Sequence, residues 1–370
     1  MIITVIVFLL ILSVLVLIHE AGHFFVAKKL GVKVEEFGFG FPPRIWGKKV
    51  GETIYSINLL PIGGFVKLYG EDDAGGGKIS VPTEQTEKGD IKRAFFSRPI
   101  WQRATIVVAG VVMNFLLAVV IISYLFAVQG VATPGKEVQV VALAVHAPAA
   151  QAGIKVGEIV VSVNSIVMTS PQQLIDYTKA HLGKDMVVVI KNSKNQTRTI
   201  HVTPRLHYPS NEGAMGIAIS ATVVTKKYPW YQAPFVGLKE SVIESWQILQ
   251  GLGTTLTDVV VHREVPQGLA GPVGIAQLTG QFIQIGPNAV LSLVSLLSLN
   301  LAILNILPIP ALDGGRFFFI LIEAVTRKKV NAQVEGYAHA VGMIVLLVLI
   351  ALITLHDVIR LITGQPLLPK

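Results

Sequence analysis

Residues 17–25 read LIHEAGHFF and put His19, Glu20 and His23 at the inner end of an apolar run that starts at residue 2. On an α-helix, positions i and i+4 share a face, so the two imidazoles can hold one metal ion. Glu20 borders that face and is placed to act as general base on water beside the ion. Surface helices of soluble proteins carry this short pattern without any chemistry. A membrane-spanning helix changes the balance, because an ionisable group at depth is costly unless it is paired or coordinated. At about 1.5 Å per residue, a helix entering at residue 2 has carried His19 roughly 25 Å, still inside a hydrocarbon core of about 30 Å.

Two ligands do not complete a site. The chain has no cysteine, so disulfides and thiolate ligands are excluded and the third ligand must be His, Asp or Glu. Asp313 fits, in NILPIPALDGGRFFFIL. Pro308 and Pro310 must break the helix before it, and the backbone groups they free are tolerated at membrane depth only in a buried or wet site. A cap on the helix beginning at Gly314 or Gly315 is a second role for Asp313, compatible with ligation. Three protein ligands leave one coordination position open, the catalytic pattern for zinc. Asn305, two helical turns earlier, is placed either to donate to a developing oxyanion or to hydrogen-bond between helices. His339 reads as an interface residue.

Four apolar segments can position these groups: about 2–27, 104–128, 288–307 and 338–356, each close to the roughly 20 residues a bilayer requires. Of the 370 residues, 52% are hydrophobic and 15% charged, where soluble domains hold about 25% charged. The composition is that of a polytopic membrane protein with some soluble mass. The formal charge of +8 flanks the apolar segments and lacks the aromatic interleaving of a nucleic-acid surface, so no nucleic-acid partner is expected. Residues 2–18 have neither a basic leader nor a small-residue cleavage site, which predicts a retained span. Basic residues after the first segment (Lys28, Lys29, Lys33, Arg44, Lys48, Lys49) and before the second (Lys92, Arg93, Arg98, Arg103) place the 28–103 loop in the cytoplasm. The N- and C-termini are then outside, and Arg327, Lys328 and Lys329 mark the inner end of the third segment. Charge alone thus puts Asp313 on the same side as His19 and His23.

The remaining organisation is simple. Residues 1–128 hold the first two spans and a cytoplasmic β-hairpin loop. Residues 129–221 alternate strands around one short helix, a β-rich PDZ-like domain with the turn APAAQAGIKVGE, expected outside. Residues 222–287 contain a helical stripe (Phe235, Leu238, Val242, Trp246, Leu249, Leu256), either an interfacial helix on lipid or one packed on the PDZ-like domain. Residues 288–370 hold the last two spans. DDAGGGK at 72–78 is a loop without the Lys-Ser/Thr ending of a phosphate cradle.

With HEAGH in one span and NILPIPALDG in another, the chain resembles the site-2 protease family of intramembrane zinc metalloproteases, in its bacterial RseP-like group. FGFGFPPRI, SINLLPIGGFVKLYGED, AGVVMNFLLA and GPVGI extend the resemblance over nearly the whole length. Val111 stands where the family commonly has proline, Glu158 where its PDZ turn has aspartate, and there is one PDZ-like domain where many relatives have two. The resemblance implies zinc on His19, His23 and Asp313 with Glu20 as base. It implies that TIYSINLLPIGGFVKLYG is a membrane-associated hairpin, turning near Gly63 and Gly64 and offering an edge strand to an unwound substrate. The PDZ-like domain is then a size filter or a binder of a new C-terminus, with Gly216 and Ile217 as contacts. Implied substrates are single-span membrane proteins, such as anti-sigma factors first trimmed by a site-1-type protease, or signal-peptide remnants. The implied location is the bacterial cytoplasmic membrane, in contact with lipid. Two rivals are a zincin with its catalytic domain outside the bilayer, for which the cytoplasmic loop offers no ligand-bearing helix, and a non-catalytic PDZ scaffold or quality-control adaptor, which would not need Glu20.

Overall fold

The computed structural model describes residues 2–71, 91–209, 212–262 and 270–363. The 72–78 loop and part of the 222–287 segment lie outside the described residues. The chain runs α1 (Ile2–Lys29), β1 (Val34–Val50), β2 (Thr53–Leu68), a 3-10 turn (Phe95–Ser97), α2 (Ile100–Val128), β3 (Val131–Leu143), α3 (Pro148–Gln151), β4 (Ile159–Val163) and β5 (Ile166–Val167). It continues with α4 (Pro171–Ala180), β6 (Met186–Lys191), β7 (Thr197–Val202), β8 (Ile217–Lys226), α5 (Ala233–Thr257), α6 (Pro272–Ile285), α7 (Pro287–Ile306), α8 (Asp313–Thr326) and α9 (Ala332–Thr363). Two compact units result: Met1–Gln129 with Tyr228–Lys370, and Gly130–Lys227.

Among the described residues of the first unit, four helices are long and apolar enough to cross a membrane: Ile2–Lys29, Ile100–Val128, Pro287–Ile306 and Gln333–Thr363. The last outruns the 338–356 expected from apolarity at both ends. Its polar C-terminal turns are retained because Asp357 and Arg360 are buried there and bonded: Asp357 accepts from the Gly271 and Gly274 amides at the start of α6, and Arg360 donates to Gln277. Helix α6 itself has no counterpart in the sequence reading. The break after Ile306 comes where Pro308 and Pro310 remove two amide donors. The chain then folds back so tightly that a Cβ at Gly314 would lie 2.0 Å from the Leu307 carbonyl oxygen, which leaves room for glycine alone. Helix α8 opens with Asp313 itself, Leu312 is its cap, and no side chain caps it. The capping role considered for Asp313 is therefore corrected.

The β1 and β2 segments bend, so that residues 34–39 pair with 64–68 on one side and 54–57 on the other, while 44–50 pairs with 53–58. The hairpin turn is at Gly51–Glu52, between the paired Val50 and Thr53. Residues 53–60 and 64–68 are not each other's partners, so Pro61–Gly64 carries the chain across strand 34–39 rather than closing a hairpin. Among the described residues, strand 64–68 is a sheet edge. The sheet is seated on α1 through an apolar core of Phe24, Ala27, Val32, Val34, Leu68 and Ile106.

The second unit is a six-stranded sheet ordered β7-β6-β4-β3-β8, with β5 paired to β4. Alternating residues of β6 (Met186, Val188, Ile190) and β3 (Val138, Val140), with Val160, Val163, Met168, Leu174 and Met215, fill the core. Strand β8 forms an edge. In α5 the large apolar stripe is exposed, whereas the small residues Ala233, Gly237 and Ser241 are buried; a Cβ at Gly237 would press on Ser123 of α2.

Candidate metal centre

His19 and His23 project from one face of α1 and are both buried. His19 Nε2 lies 2.8 Å from Asp313 Oδ2, His23 Nε2 lies 3.3 Å from the same oxygen, and the two Nε2 atoms are 3.2 Å apart. These ligand atoms, from residues 294 positions apart in the chain, all fall within 4.8 Å of one another. Among the described residues this is the one group of three His, Asp or Glu able to share an ion. The donor set fits zinc: two imidazole nitrogens and a carboxylate oxygen, all lone-pair donors. A cation supplies the positive charge that such a cluster lacks.

Helix α2 forms the back wall. The His23 Nδ1 proton is donated to the Ile106 carbonyl at 2.8 Å, which leaves Nε2 free toward the shared point. One turn on, Gly110 gives the rings their space, since a Cβ there would lie 2.3 Å from His23 Nε2 and 2.7 Å from His19 Cε1. A further turn on, the amide of Asn114 faces His19 Nδ1 at 3.5 Å, and Ser298 of α7 donates to the Asn114 carbonyl at 2.7 Å. Asp313 is held from several directions. Arg103 pairs with Glu323 at 2.7 Å and ties α8 to α2. The Ala311 amide donates to His339 Nδ1 at 2.9 Å, bracing the loop before Asp313 against α9. That bond gives the buried His339 of the sequence reading a definite task.

Glu20 accepts from the Val66 amide at 3.0 Å, so the free edge of the sheet fixes the carboxylate beside the ligands. A cleft of about 460 Å³ opens there, lined by Glu20, His23, Val66, Glu71, Asp313 and Arg316 among others. Glu71 and Arg316 form an ion pair in its wall and also border a second cavity of about 240 Å³. Asn305 sits half-buried in the last turn of α7. Gly63 and Gly64 pack beside Val16 and Leu17 of α1, and the cleft residues of that strand are the next four, Phe65 to Leu68. Gly216 turns the chain into β8 with its carbonyl already accepting from Ala144, while Ile217 lines a cavity of about 410 Å³ between α4 and β8. Sequence reasoning did not single out Gly110, Asn114, Val66, Glu71 or Arg316 as site residues. Only the AGVVMN motif hinted at the first two, by placing small and polar residues in a span.

Comparison with known proteins identifies the family. The description "Peptidase family M50" matches residues 7–349. "Regulator of sigma-W protease RasP" of Bacillus subtilis (strain 168) is 31% identical over 425 residues, 97% of this chain and 99% of that protein. "Zinc metalloprotease RasP" of Bacillus licheniformis is 30% identical with the same coverage of each chain. A solved PDZ domain, from an SdrC-like protein of Listeria monocytogenes, is similar to 24% of this chain and 93% of that one, at 18% identity and a TM-score of 0.21. A match that runs through both HEAGH and LDGG places the chain in peptidase family M50, the site-2 proteases.

Proposed function

We propose that His19, His23 and Asp313 hold the zinc of this family-M50 metalloprotease, with Glu20 as its general base, for cleavage of membrane proteins. The observation that carries the assignment is the convergence of three ligand atoms within 4.8 Å from α1 and α8, with Glu20 lining the same cleft as His23 and Asp313. Bound zinc supplies Lewis acidity, lowering the pKa of water and polarising a peptide carbonyl. Glu20, steadied by the Val66 amide, takes the proton from water and returns it to the leaving amine.

Helical substrate hides its peptide bonds, so the scissile segment must be extended before it reaches Glu20. The edge strand 64–68 borders the cleft and, apart from the Val66 amide that Glu20 holds, offers its backbone for strand addition. Ile217 and the groove beside β8 suit an extended chain end in the same way, which favours a C-terminus-binding PDZ-like unit over a passive filter. The exposed stripe of α5 fits a lipid interface. Basic-residue placement supports a cytoplasmic-membrane orientation with both termini and the β-rich unit outside and the zinc site toward the cytoplasm. Single-span proteins already trimmed by a site-1-type protease, including anti-sigma factors and signal-peptide remnants, are the substrates of this reading.

Cleavage of a single-span model substrate in detergent tests it. Glu20→Gln is expected to retain zinc and lose on the order of 10³-fold in rate. Full activity in that variant overturns the role of Glu20, and a parent protein that binds the substrate without cleaving it favours a non-catalytic scaffold.

A further inference from the structure

The two histidines face α2 in an orderly way. Ile106, Gly110 and Asn114 are spaced four residues apart and so line one face of that helix. His23 meets the first, both rings sit over the second, and His19 meets the third. An imidazole that gives Nε2 to a metal carries its proton on Nδ1 and needs an acceptor there. His23 has one, the Ile106 carbonyl. For His19 the group facing Nδ1 is the amide of Asn114, fully buried, at 3.5 Å.

The amide nitrogen points at the ring, an arrangement suited to a His19 protonated on Nε2. The other end of the amide, Oδ1, has no hydrogen-bond partner among the described residues. Turning the amide about its side-chain bond therefore breaks no bond made by that oxygen, and it presents an acceptor to the Nδ1 proton. Asparagine carries both chemistries in one shape. Ser298 fixes the Asn114 backbone by bonding its carbonyl, so the turn is confined to the side chain.

We propose that Asn114 is the positioning residue for His19: its amide oxygen accepts the Nδ1 proton and so directs Nε2 to the metal. This rests on the zinc assignment above. Helix α2 then supplies an acceptor to each ligand histidine, a backbone carbonyl to one and a side chain to the other.

The test is zinc affinity of the full chain in detergent, stripped of metal and titrated against a competing chromophoric chelator, without reference to cleavage. Asn114→Leu removes the acceptor at similar volume and is expected to weaken zinc by about 10–100-fold. Asn114→Asp keeps an acceptor and is expected to stay within about threefold of the parent. Cobalt substituted for zinc should show a changed visible spectrum in the leucine variant and the parent spectrum in the aspartate variant. Asn114→Ala removes the acceptor without adding bulk, and repeats the loss if the leucine variant fails to fold. Parent affinity in the leucine or alanine variant overturns the proposal, as does an aspartate variant as weak as leucine. A parent protein that takes up no zinc overturns the metal assignment itself.

Discussion

Two aspartates in the membrane-spanning unit are held in opposite ways. Asp357, wholly buried, accepts from the Gly271 amide at 2.9 Å and the Gly274 amide at 2.7 Å, and its other oxygen lies 3.3 Å from Arg360. Its charge is met by the start of a helix and a guanidinium, both permanent donors. Asp313 receives no such donors. Its oxygen faces two imidazole nitrogens, with Glu20 close by and a cleft at its side. A buried carboxylate met by two amides and a guanidinium holds two helices together. A carboxylate whose partners are two imidazole nitrogens can share them with a cation, and that difference separates a structural cluster from a candidate metal centre.

Substitutions should divide along the same line. Asp313→Ala is expected to have the largest effect, taking zinc from about one per chain to near zero by metal analysis of folded protein. Unchanged stoichiometry would remove Asp313 from the ligand set. Gly110→Ala comes next. It improves helix propensity but drives a methyl group into both histidines, and a displacement of about 1 Å at the ligands is expected to lower cleavage about 10²-fold. A variant as active as the parent would show that the rings have slack. Asp357→Asn is the smallest and most selective. It should lower unfolding stability by about 1.5–3 kcal/mol, the worth of hydrogen bonds to a charged group, and leave zinc stoichiometry intact. Loss of zinc in that variant would mean that the two clusters are coupled.

Much of the site was legible in the sequence for a chemical reason. Ligand types, their i, i+4 spacing and a broken helix ahead of an aspartate are local features, and the charge pattern put them on one side of the bilayer without any fold. What could not be read depended on which elements meet. Asn114 and Gly110 matter only because α2 crosses α1 at His19 and His23. Val66 reaches Glu20 only because strand 64–68 lands on the outer edge of the sheet. Pro61, Gly63 and Gly64 do mark a bend, but turn chemistry says where a chain changes direction and not which strand it joins. That is why a hairpin was expected where the chain instead passes across strand 34–39. Likewise the apolar count ended the last span at residue 356, since it could not foresee that α6 would neutralise Asp357.

The central claim is that two histidines of α1 and one aspartate of α8 share a zinc ion. Zinc-edge X-ray absorption of the purified, zinc-loaded chain tests it most directly. The expected shell has two imidazole nitrogens at about 2.0–2.1 Å and oxygen ligands at about 2.0–2.2 Å, and it loses one imidazole in His23→Ala. A shell without imidazole, or one unchanged by that substitution, would contradict the account.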